Sequence, residues 1–307
     1  MTSDKQKTLS TEHIFKGKGL HTGRVATMAL KPAPAGTGIV FHRVDLGPDA
    51  FVEAVAENVS STARSTTVSK GDASVSTIEH LMSALSGLGV DNALIEIDNV
   101  EVPILDGSAR YYAEAIAGDG LAVQDAPRRY VTVPDEIEIR DEESGSYIVV
   151  SPSEEPSIEL TVDFGSKVLG VQEVGWDLST DYASQIAPCR TFVFFHEIEF
   201  LYSNNLVKGG DVDNAIVIVE RPVAPGQVER LSELFGVPRL AIDEKGYLNN
   251  LELHFPDECG RHKLLDLIGD LSLCGGPLKA RVKAFKPGHS INTRMALAIR
   301  NAISKQN

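Results

Sequence analysis

The stretch STIEHLMSALSGLG, residues 76–89, decides the fold of the first half of the chain. Its apolar side chains recur at the three- and four-residue spacing of a helix with one buried face, at Ile78, Leu81, Met82 and Leu85. Ser76 or Thr77 is placed to cap this helix, and the two glycines at the end of the stretch are placed to stop it. ALIEI at 93–97 then alternates as a strand does.

The same order of helix, glycine pair and strand returns near the other end of the chain. Residues 262–273 have helical apolar spacing, a Gly-Gly-Pro run follows, and 278–285 indicates a strand. This weak internal repeat predicts two α+β halves of similar plan. The polar segment between them predicts an N-terminal α+β domain over 1–125 and a C-terminal α+β domain over 126–307.

Composition narrows the class of protein. The chain has 307 residues, 42% of them hydrophobic and 23% charged, which is typical of a globular protein. The net charge of −14 is not interrupted by a cluster of Lys and Arg, so we expect no nucleic-acid partner. No apolar run approaches the roughly 18 residues of a membrane span, and we expect no secretory signal, because no apolar run follows the first charged residues. Three irregularly spaced cysteines suit reduced thiols, so we expect a cytoplasmic protein.

His262 and Asp266 form the most informative chemical pattern. An i, i+4 pair lies on one helix face with Cβ atoms about 5–6 Å apart, so an imidazole and a carboxylate can reach one metal ion. Asp270 continues that face by one turn and could orient a histidine or a ligand. The alternative interpretation is a solvated acidic helix face.

Three other places carry chemistry-bearing side chains. In Glu79-His80, the imidazole could bind a metal while the carboxylate takes a proton from water. The alternative is an amphipathic helix with a glutamate in its first turn. His289 follows a strand in an apparent tight turn and could act as a general acid, or be an ordinary loop histidine. Thr191 could stabilise an oxyanion, or be a β-branched strand former.

Eight blocks, taken in order, resemble the family of UDP-3-O-acyl-N-acetylglucosamine deacetylases, which are zinc enzymes of lipid A biosynthesis. The blocks are GKGLHTG (17–23), STIEHLMSAL (76–85), PILDGS (103–108), RTF (190–192), KGG (208–210), RHKLLD (261–266), GDL (269–271) and GH (288–289). They extend over nearly the whole chain, and their order and spacing are very specific.

The resemblance implies a metal site and a base. His80, His262 and Asp266 correspond to the zinc ligands of the family, with Fe²⁺ as an alternative metal in the cell. Glu79 corresponds to the general base that activates the attacking water. The implied reaction is hydrolysis of the N-acetyl group of UDP-3-O-acyl-N-acetylglucosamine, which releases acetate and is the committed step of lipid A biosynthesis.

The resemblance also implies roles for the surrounding residues. His289 corresponds to the protonated histidine of the family and Asp270 to the carboxylate paired with it. Thr191 corresponds to the residue whose hydroxyl stabilises the oxyanion, and Lys263 contributes positive electrostatic potential at the same place. The residues implied in substrate binding are His21, Phe164, Phe192, Gly209 and Lys263.

The implied fold has two β-α-α-β domains that sandwich their helices, each with a small insert, and an active site between the domains. In the second insert, residues 191–217 correspond to a hydrophobic passage for the 3-O-acyl chain. Its first half carries Phe192, Phe194, Phe195, Ile198, Phe200 and Leu201. We interpret the residues after the strand 215–219 as a polar stretch. We expect a monomer with the sugar nucleotide as its substrate.

One departure concerns Ser146, which stands where many members of the family have a basic residue for the diphosphate. Lys167 is a candidate substitute. Because the chain ends 18 residues after His289, we expect the C-terminal dehydratase domain of some relatives to be absent. Two other functions stay open: an amidohydrolase for another acetylated sugar nucleotide, and a non-catalytic regulator that binds nucleotide sugars. A module that only binds has no need for the combination of five residues Glu79, His80, His262, Asp266 and His289, which therefore weighs against the regulator.

Overall fold

The computed structural model describes residues 4–203, 206–237 and 239–304. The first half of the chain has strands β1 (Lys5–Leu9), β2 (His13–Lys18), β3 (Val25–Pro32), β4 (Ile39–Arg43), β5 (Phe51–Glu53), β6 (Val59–Ser61), β7 (Thr67–Lys70), β8 (Ala73–Val75), β9 (Ala93–Ile97) and β10 (Leu121–Pro127). Its helices are α1 (Glu79–Gly87) and α2 (Arg110–Asp119). Helix α1 lies within the stretch 76–89, where apolar spacing predicts a helix.

The second half has strands β11 (Ile137–Asp141), β12 (Ser146–Pro152), β13 (Ser157–Asp163), β14 (Val171–Asp177), β15 (Phe192–Phe194), β16 (Ile216–Ile218) and β17 (Ala280–Phe285). Its helices are α3 (Tyr182–Gln185), α4 (Phe195–Ser203), α5 (Gln227–Phe235), α6 (Glu258–Leu271) and α7 (His289–Ser304). The stretch after β16, interpreted from sequence as polar, also contains the amphipathic helix α5, which the sequence analysis did not predict. Its apolar residues recur every three or four positions, which buries one face of the helix.

The two halves share one sheet topology. The five-stranded sheets have the orders β2-β3-β9-β4-β5 and β11-β12-β17-β13-β14. In each sheet one central pair is parallel, β4 with β9 and β13 with β17, and the other pairs are antiparallel. In each half, one helix precedes the last strand of the sheet and another follows it. The internal repeat and the mixed α+β fold are therefore confirmed.

Helices α1 and α6 pack against each other where the halves meet. A Cβ atom added to Gly269 in α6 would lie 2.1 Å from the carbonyl oxygen of Glu79 in α1, so the helix backbones are in direct contact there. One main hydrophobic core runs through both sheets and includes Leu81 and Leu85 from α1 with Leu264 and Leu267 from α6. The first residues of α1 and the middle of α6 are consequently fixed relative to each other.

Each half carries an insert before its central helix. In the first half this is the three-stranded sheet β6-β7-β8. In the second half it includes the parallel pair β15–β16 with α4 and α5. Strand β10 pairs with β1 and extends across the expected domain boundary at 125/126, and that boundary stays a prediction. Among the described residues, no helix is both long enough and apolar enough to cross a bilayer.

Candidate active site and metal centre

His80, His262 and Asp266 converge where α1 meets α6. Their candidate ligand atoms lie within 4.8 Å of one another, and all three residues are buried. The Oδ1 atom of Asp266 lies 3.6 Å from Nε2 of His80 and 3.5 Å from Nε2 of His262. The two imidazole rings meet edge to face, with centroids 4.9 Å apart. This cluster can hold a metal ion.

The protonation of these groups fits a divalent cation. Asp266 Oδ1 is buried and has no hydrogen-bond partner among the described residues, which is costly unless a cation faces it. The Nδ1 atom of His262 donates to the Cys189 carbonyl over 3.0 Å, which leaves Nε2 as the free lone pair. Burial lowers the pKa of His262 to about 3, so the imidazole is neutral. Burial alone would raise the pKa of Asp266, but Lys263 and the histidines around it together outweigh burial and hold that pKa well below its usual range.

Glu79 is the first residue of α1 and lies beside the cluster. Its Oε2 accepts a hydrogen bond of 3.0 Å from the backbone N–H of Thr66, and its Oε1 lies 3.9 Å from Nε2 of His289. Burial raises the pKa of Glu79, although the neighbouring His289 opposes that shift. The carboxylate is therefore held in place by its neighbours and has an increased affinity for a proton.

His289 is the first residue of α7, not a loop residue as the sequence suggested. Gly288 and the left-handed Lys286, with φ of 50°, turn the chain into the helix. His289 Nδ1 contacts Asp270 Oδ2 at 2.9 Å. Burial alone would lower the pKa of His289, but the carboxylates of Asp270 and Glu79 outweigh it and raise the pKa to about 9. The imidazole is therefore protonated at neutral pH.

Two partners of this network are not apparent from the sequence. The Thr66 hydroxyl donates to Asp270 Oδ1 over 2.6 Å, and the Asn292 amide donates to Asp270 Oδ2 over 2.9 Å. Asn292 lies three residues after His289 on α7, so helical spacing could have revealed it. Thr66 lies in a polar stretch with no distinguishing pattern.

An aromatic and cationic wall lies beside His262. Lys263 Nζ binds Asp266 Oδ2 at 2.6 Å and lies 5.8 Å from the centroid of the Phe192 ring. The Phe192 ring is 6.4 Å from that of His262 and 5.4 Å from that of Phe164. The structure therefore brings these three predicted substrate residues together next to the cluster.

The segment around Thr191 is fixed by a buried ion pair. Arg190 Nε donates to Glu258 Oε1 over 2.9 Å, and both side chains are buried. The backbone N–H of Thr191 donates to the carbonyl oxygen of Gly107 over 2.8 Å. Because Cys189 in the same segment accepts from His262, Thr191 is tied to the cluster through its backbone.

His21 and Gly209 lie together, in the contact between the 19–23 turn and the 206–210 segment. The Gly209 N–H donates to the Leu20 carbonyl oxygen over 2.9 Å. A Cβ atom at position 209 would lie 2.0 Å from the Gly19 carbonyl oxygen, so only glycine permits this approach. His21 Nδ1 donates to Leu206 O over 2.7 Å.

An apolar cavity of about 150 Å³ is lined by Thr191 and His21 among other residues. From the expected passage stretch, the wall takes Phe192, Ile198 and Leu201. Leu231, Phe235 and Leu248 also line it, although sequence analysis did not select them. Phe195 is instead buried in a small hydrophobic cluster, and Phe200 is 59% exposed.

The Ser146 region contains a lysine that sequence analysis did not select. Ser146 Oγ donates to the Lys286 carbonyl oxygen over 2.8 Å. Lys286 Nζ lies 3.4 Å from Asp163 Oδ2, and Asp163 immediately precedes the exposed Phe164. Lys286 is thus a basic residue close to the position where one is missing, whereas a role for Lys167 stays a prediction.

Comparisons with known proteins identify the family of this chain. A family model described as UDP-3-O-acyl N-acetylglycosamine deacetylase matches residues 6–233 and 238–301. A protein of Porphyromonas gingivalis named bifunctional enzyme LpxC/FabZ is 46% identical over 303 residues, which are 99% of this chain and 65% of the relative. One of the same name from Bacteroides thetaiotaomicron is 44% identical over 299 residues, 97% of this chain and 65% of the relative.

A third relative has a shorter chain. A UDP-3-O-acyl-N-acetylglucosamine deacetylase of Geobacter sp. is 41% identical over 291 residues, 94% of this chain and 87% of the relative. The chain thus spans about two thirds of the bifunctional relatives and most of this one. With the matched family model and the geometry above, these likenesses place the chain in the UDP-3-O-acyl N-acetylglycosamine deacetylase family.

Proposed function

We propose that this chain is a zinc-dependent amidase that hydrolyses the N-acetyl group of UDP-3-O-acyl-N-acetylglucosamine. The products are acetate and the free 2-amino sugar nucleotide, which keeps its 3-O-acyl chain, and the step belongs to lipid A biosynthesis. The observation that carries the proposal is the buried His80, His262 and Asp266 cluster with Glu79 and a protonated His289 beside it. A module that only binds nucleotide sugars needs no such combination of groups.

Zinc suits the donor set, because two imidazole nitrogens and one carboxylate oxygen leave a coordination position open for chemistry. Ferrous iron accepts the same donors, and it stays an alternative in the cell. What zinc would supply at His80, His262 and Asp266 is Lewis acidity, which polarises a carbonyl group and lowers the pKa of a water molecule from 15.7 toward roughly 7.

Glu79 takes the proton of the attacking water. Its raised pKa favours accepting that proton, and the N–H of Thr66 holds the carboxylate in place meanwhile. Since the next residue is His80, the base lies at the edge of the metal cluster.

His289 lies beside Glu79 and carries a positive charge. As the C–N bond breaks, the amine needs a proton, and His289 is the donor, with Glu79 as the alternative carrier. Asp270 accepts from Nδ1, which orients Nε2 toward Glu79 and keeps the cation formed at neutral pH.

The oxyanion and the substrate are held by side chains around the cluster. The Thr191 hydroxyl donates to the developing oxyanion, and the positive charge of Lys263 stabilises it electrostatically. Phe192, Phe164 and Lys263 bind the sugar nucleotide, together with His21 and Gly209. The apolar cavity shelters the 3-O-acyl chain.

Acetate release from three substrates tests the function. We expect turnover of the long-chain substrate, at least tenfold lower kcat/KM when the acyl group is acetyl, and little turnover of UDP-N-acetylglucosamine. Equal kcat/KM for all three would favour a general sugar-nucleotide amidohydrolase. Tight binding of the substrate by the zinc-loaded protein without acetate release would favour a regulator.

A further inference from the structure

Glu101 is a buried carboxylate that the proposed chemistry does not use. It is 1% exposed, and it forms no ion pair among the described residues. Three donors satisfy it instead: the backbone N–H groups of His21 and Thr22, each at 2.8 Å, and the Thr77 hydroxyl at 2.9 Å. A buried carboxyl group held only by neutral donors is costly, so its contacts call for an explanation.

The hydrogen bond from the Thr77 hydroxyl involves a strained residue. Thr77 has φ of 58°, and for a buried β-branched residue the left-handed region is a genuine outlier. Its side chain does not cap α1 as expected from the sequence, because the hydroxyl donates to Glu101. Ile78 then leads directly into α1, whose first two residues are Glu79 and His80. The conformation of Thr77 therefore sets the direction in which the base and one ligand enter the site.

The other two contacts hold the 19–23 turn. A Cβ atom at Gly19 would lie 2.3 Å from Glu101 Oε2, so a glycine there lets the carboxylate reach the turn. The same turn presents His21, which lines the apolar cavity and whose Nδ1 donates to Leu206 O. One carboxylate thus joins the start of α1 to a wall of the substrate site.

We propose that Glu101 is a positioning residue that holds Thr77 in its left-handed conformation and thereby directs Glu79 and His80. Through the backbone of the 19–23 turn it also positions His21. The activity readouts of this inference rest on the proposed function, whereas its metal-binding readout does not.

Glycine substitution tests the role directly. Thr77→Ala removes the hydroxyl and keeps the cost of the left-handed conformation, whereas Thr77→Gly removes both, because glycine adopts positive φ freely. We expect Thr77→Ala to bind zinc about tenfold more weakly than wild type in a chelator competition with apo-protein. Thr77→Gly should bind zinc no more than about threefold more weakly than wild type. The kcat values should follow the same order, with KM within twofold of wild type.

Glu101→Gln extends the test to the carboxylate. It should weaken zinc binding about as much as Thr77→Ala and also raise KM, because it releases the His21 turn. Adding Thr77→Gly should restore zinc affinity and leave KM raised. The matched control is Ser76, which carries a neighbouring hydroxyl on a backbone without positive φ. Ser76→Gly should bind zinc no more tightly than Ser76→Ala.

Two results would overturn the proposal. One is equal zinc affinity for Thr77→Ala and Thr77→Gly, which decides the matter even if Glu101→Gln does not fold. The other is a folded Glu101→Gln protein with the zinc affinity and kinetics of wild type. If no variant, wild type included, releases acetate while the order of zinc affinities holds, the proposed function fails and the positioning role stands.

Discussion

The cluster of His80, His262 and Asp266 and the apolar cavity depend on different kinds of interaction. The cluster lies on α1 and α6, whose apolar faces belong to the main core shared by both halves, and hydrogen bonds hold His262 Nδ1 and Asp266 Oδ2 in place. The cavity wall belongs to an insert with its own small hydrophobic cluster, which contains Ile198, Val217, Leu231 and Leu248. The first region depends on hydrogen bonds and fixed distances, and the second on volume.

The difference fits the roles that we propose for the two regions. Proton transfer and metal binding need atoms held within a few tenths of an ångström, so they benefit from helices locked by a large core. A hydrocarbon chain is recognised by removal from water, which is not directional and needs only an apolar wall of sufficient depth. Substitutions in the two regions should therefore affect different kinetic parameters.

The largest effect is expected from Glu79→Gln, which keeps the shape of the side chain and removes the base. We expect kcat to fall by about 10²–10⁴-fold, the usual contribution of a positioned proton-transfer group. Zinc content, measured by elemental analysis, should stay at the wild-type level. A Glu79→Gln protein with more than a tenth of wild-type kcat would mean that another group takes the proton.

His289→Gln should come next, with a loss of comparable or smaller size and a changed pH profile. Since the pKa of His289 is raised to about 9, the cation is present below that pH and is lost as the pH rises through it. The wild-type rate should therefore fall above about pH 9, whereas the variant should be slow and lack this basic limb. An unchanged basic limb in His289→Gln would assign the acid elsewhere.

Gly269→Ala tests whether the helix contact fixes the cluster. The added methyl would meet the Glu79 carbonyl oxygen, so α1 and α6 must separate. Overpacking of this kind costs about 1–3 kcal/mol. We expect the midpoint of chemical unfolding and zinc affinity to fall together, and kcat to fall roughly tenfold or more.

The control for this prediction is Gly118→Ala in α2, where a Cβ atom would meet nothing within 4 Å. That helix should be stabilised slightly, by about 0.5–1 kcal/mol, with no change in zinc binding. If both variants behave alike, the close helix contact does not set the cluster geometry.

The smallest effect is expected in the cavity, and it should appear in kcat/KM for long acyl chains. Each sheltered methylene contributes at most about 0.8 kcal/mol, so ten would nominally contribute about 8 kcal/mol, reduced by ordering of the chain. Leu231→Phe, which fills the wall, should lower the preference for long over acetyl chains at least fivefold and leave zinc content unchanged. Leu178→Phe, at a residue 71% exposed and outside the cavity, is the control.

Much of the fold was predictable from local patterns. Apolar spacing located α1 and α6, and the repeated order of helix, glycines and strand predicted two similar halves. The i, i+4 spacing of His262 and Asp266 correctly placed both on one face of α6. These features depend on residues close together in the chain, which is where periodicity carries information.

Other features depend on contacts between distant segments and could not be predicted locally. His80 joins α6 only through tertiary packing, and Thr66 reaches Asp270 across 204 residues of sequence. Thr77 is a residue type that often caps helices, but its hydroxyl donates instead to the carboxylate of Glu101, which is distant in sequence. Helix α5 was hidden because its segment is polar on average and only one face is buried.

Zinc stoichiometry of side-by-side variants tests the central claim most directly. Wild type, Glu79→Gln and His262→Ala would be purified, loaded with zinc, desalted and subjected to elemental analysis, with acetate release measured on the same samples. We predict one zinc per chain in wild type and in Glu79→Gln, activity only in wild type, and loss of both zinc and activity in His262→Ala. Full zinc occupancy in a folded His262→Ala protein would contradict the account.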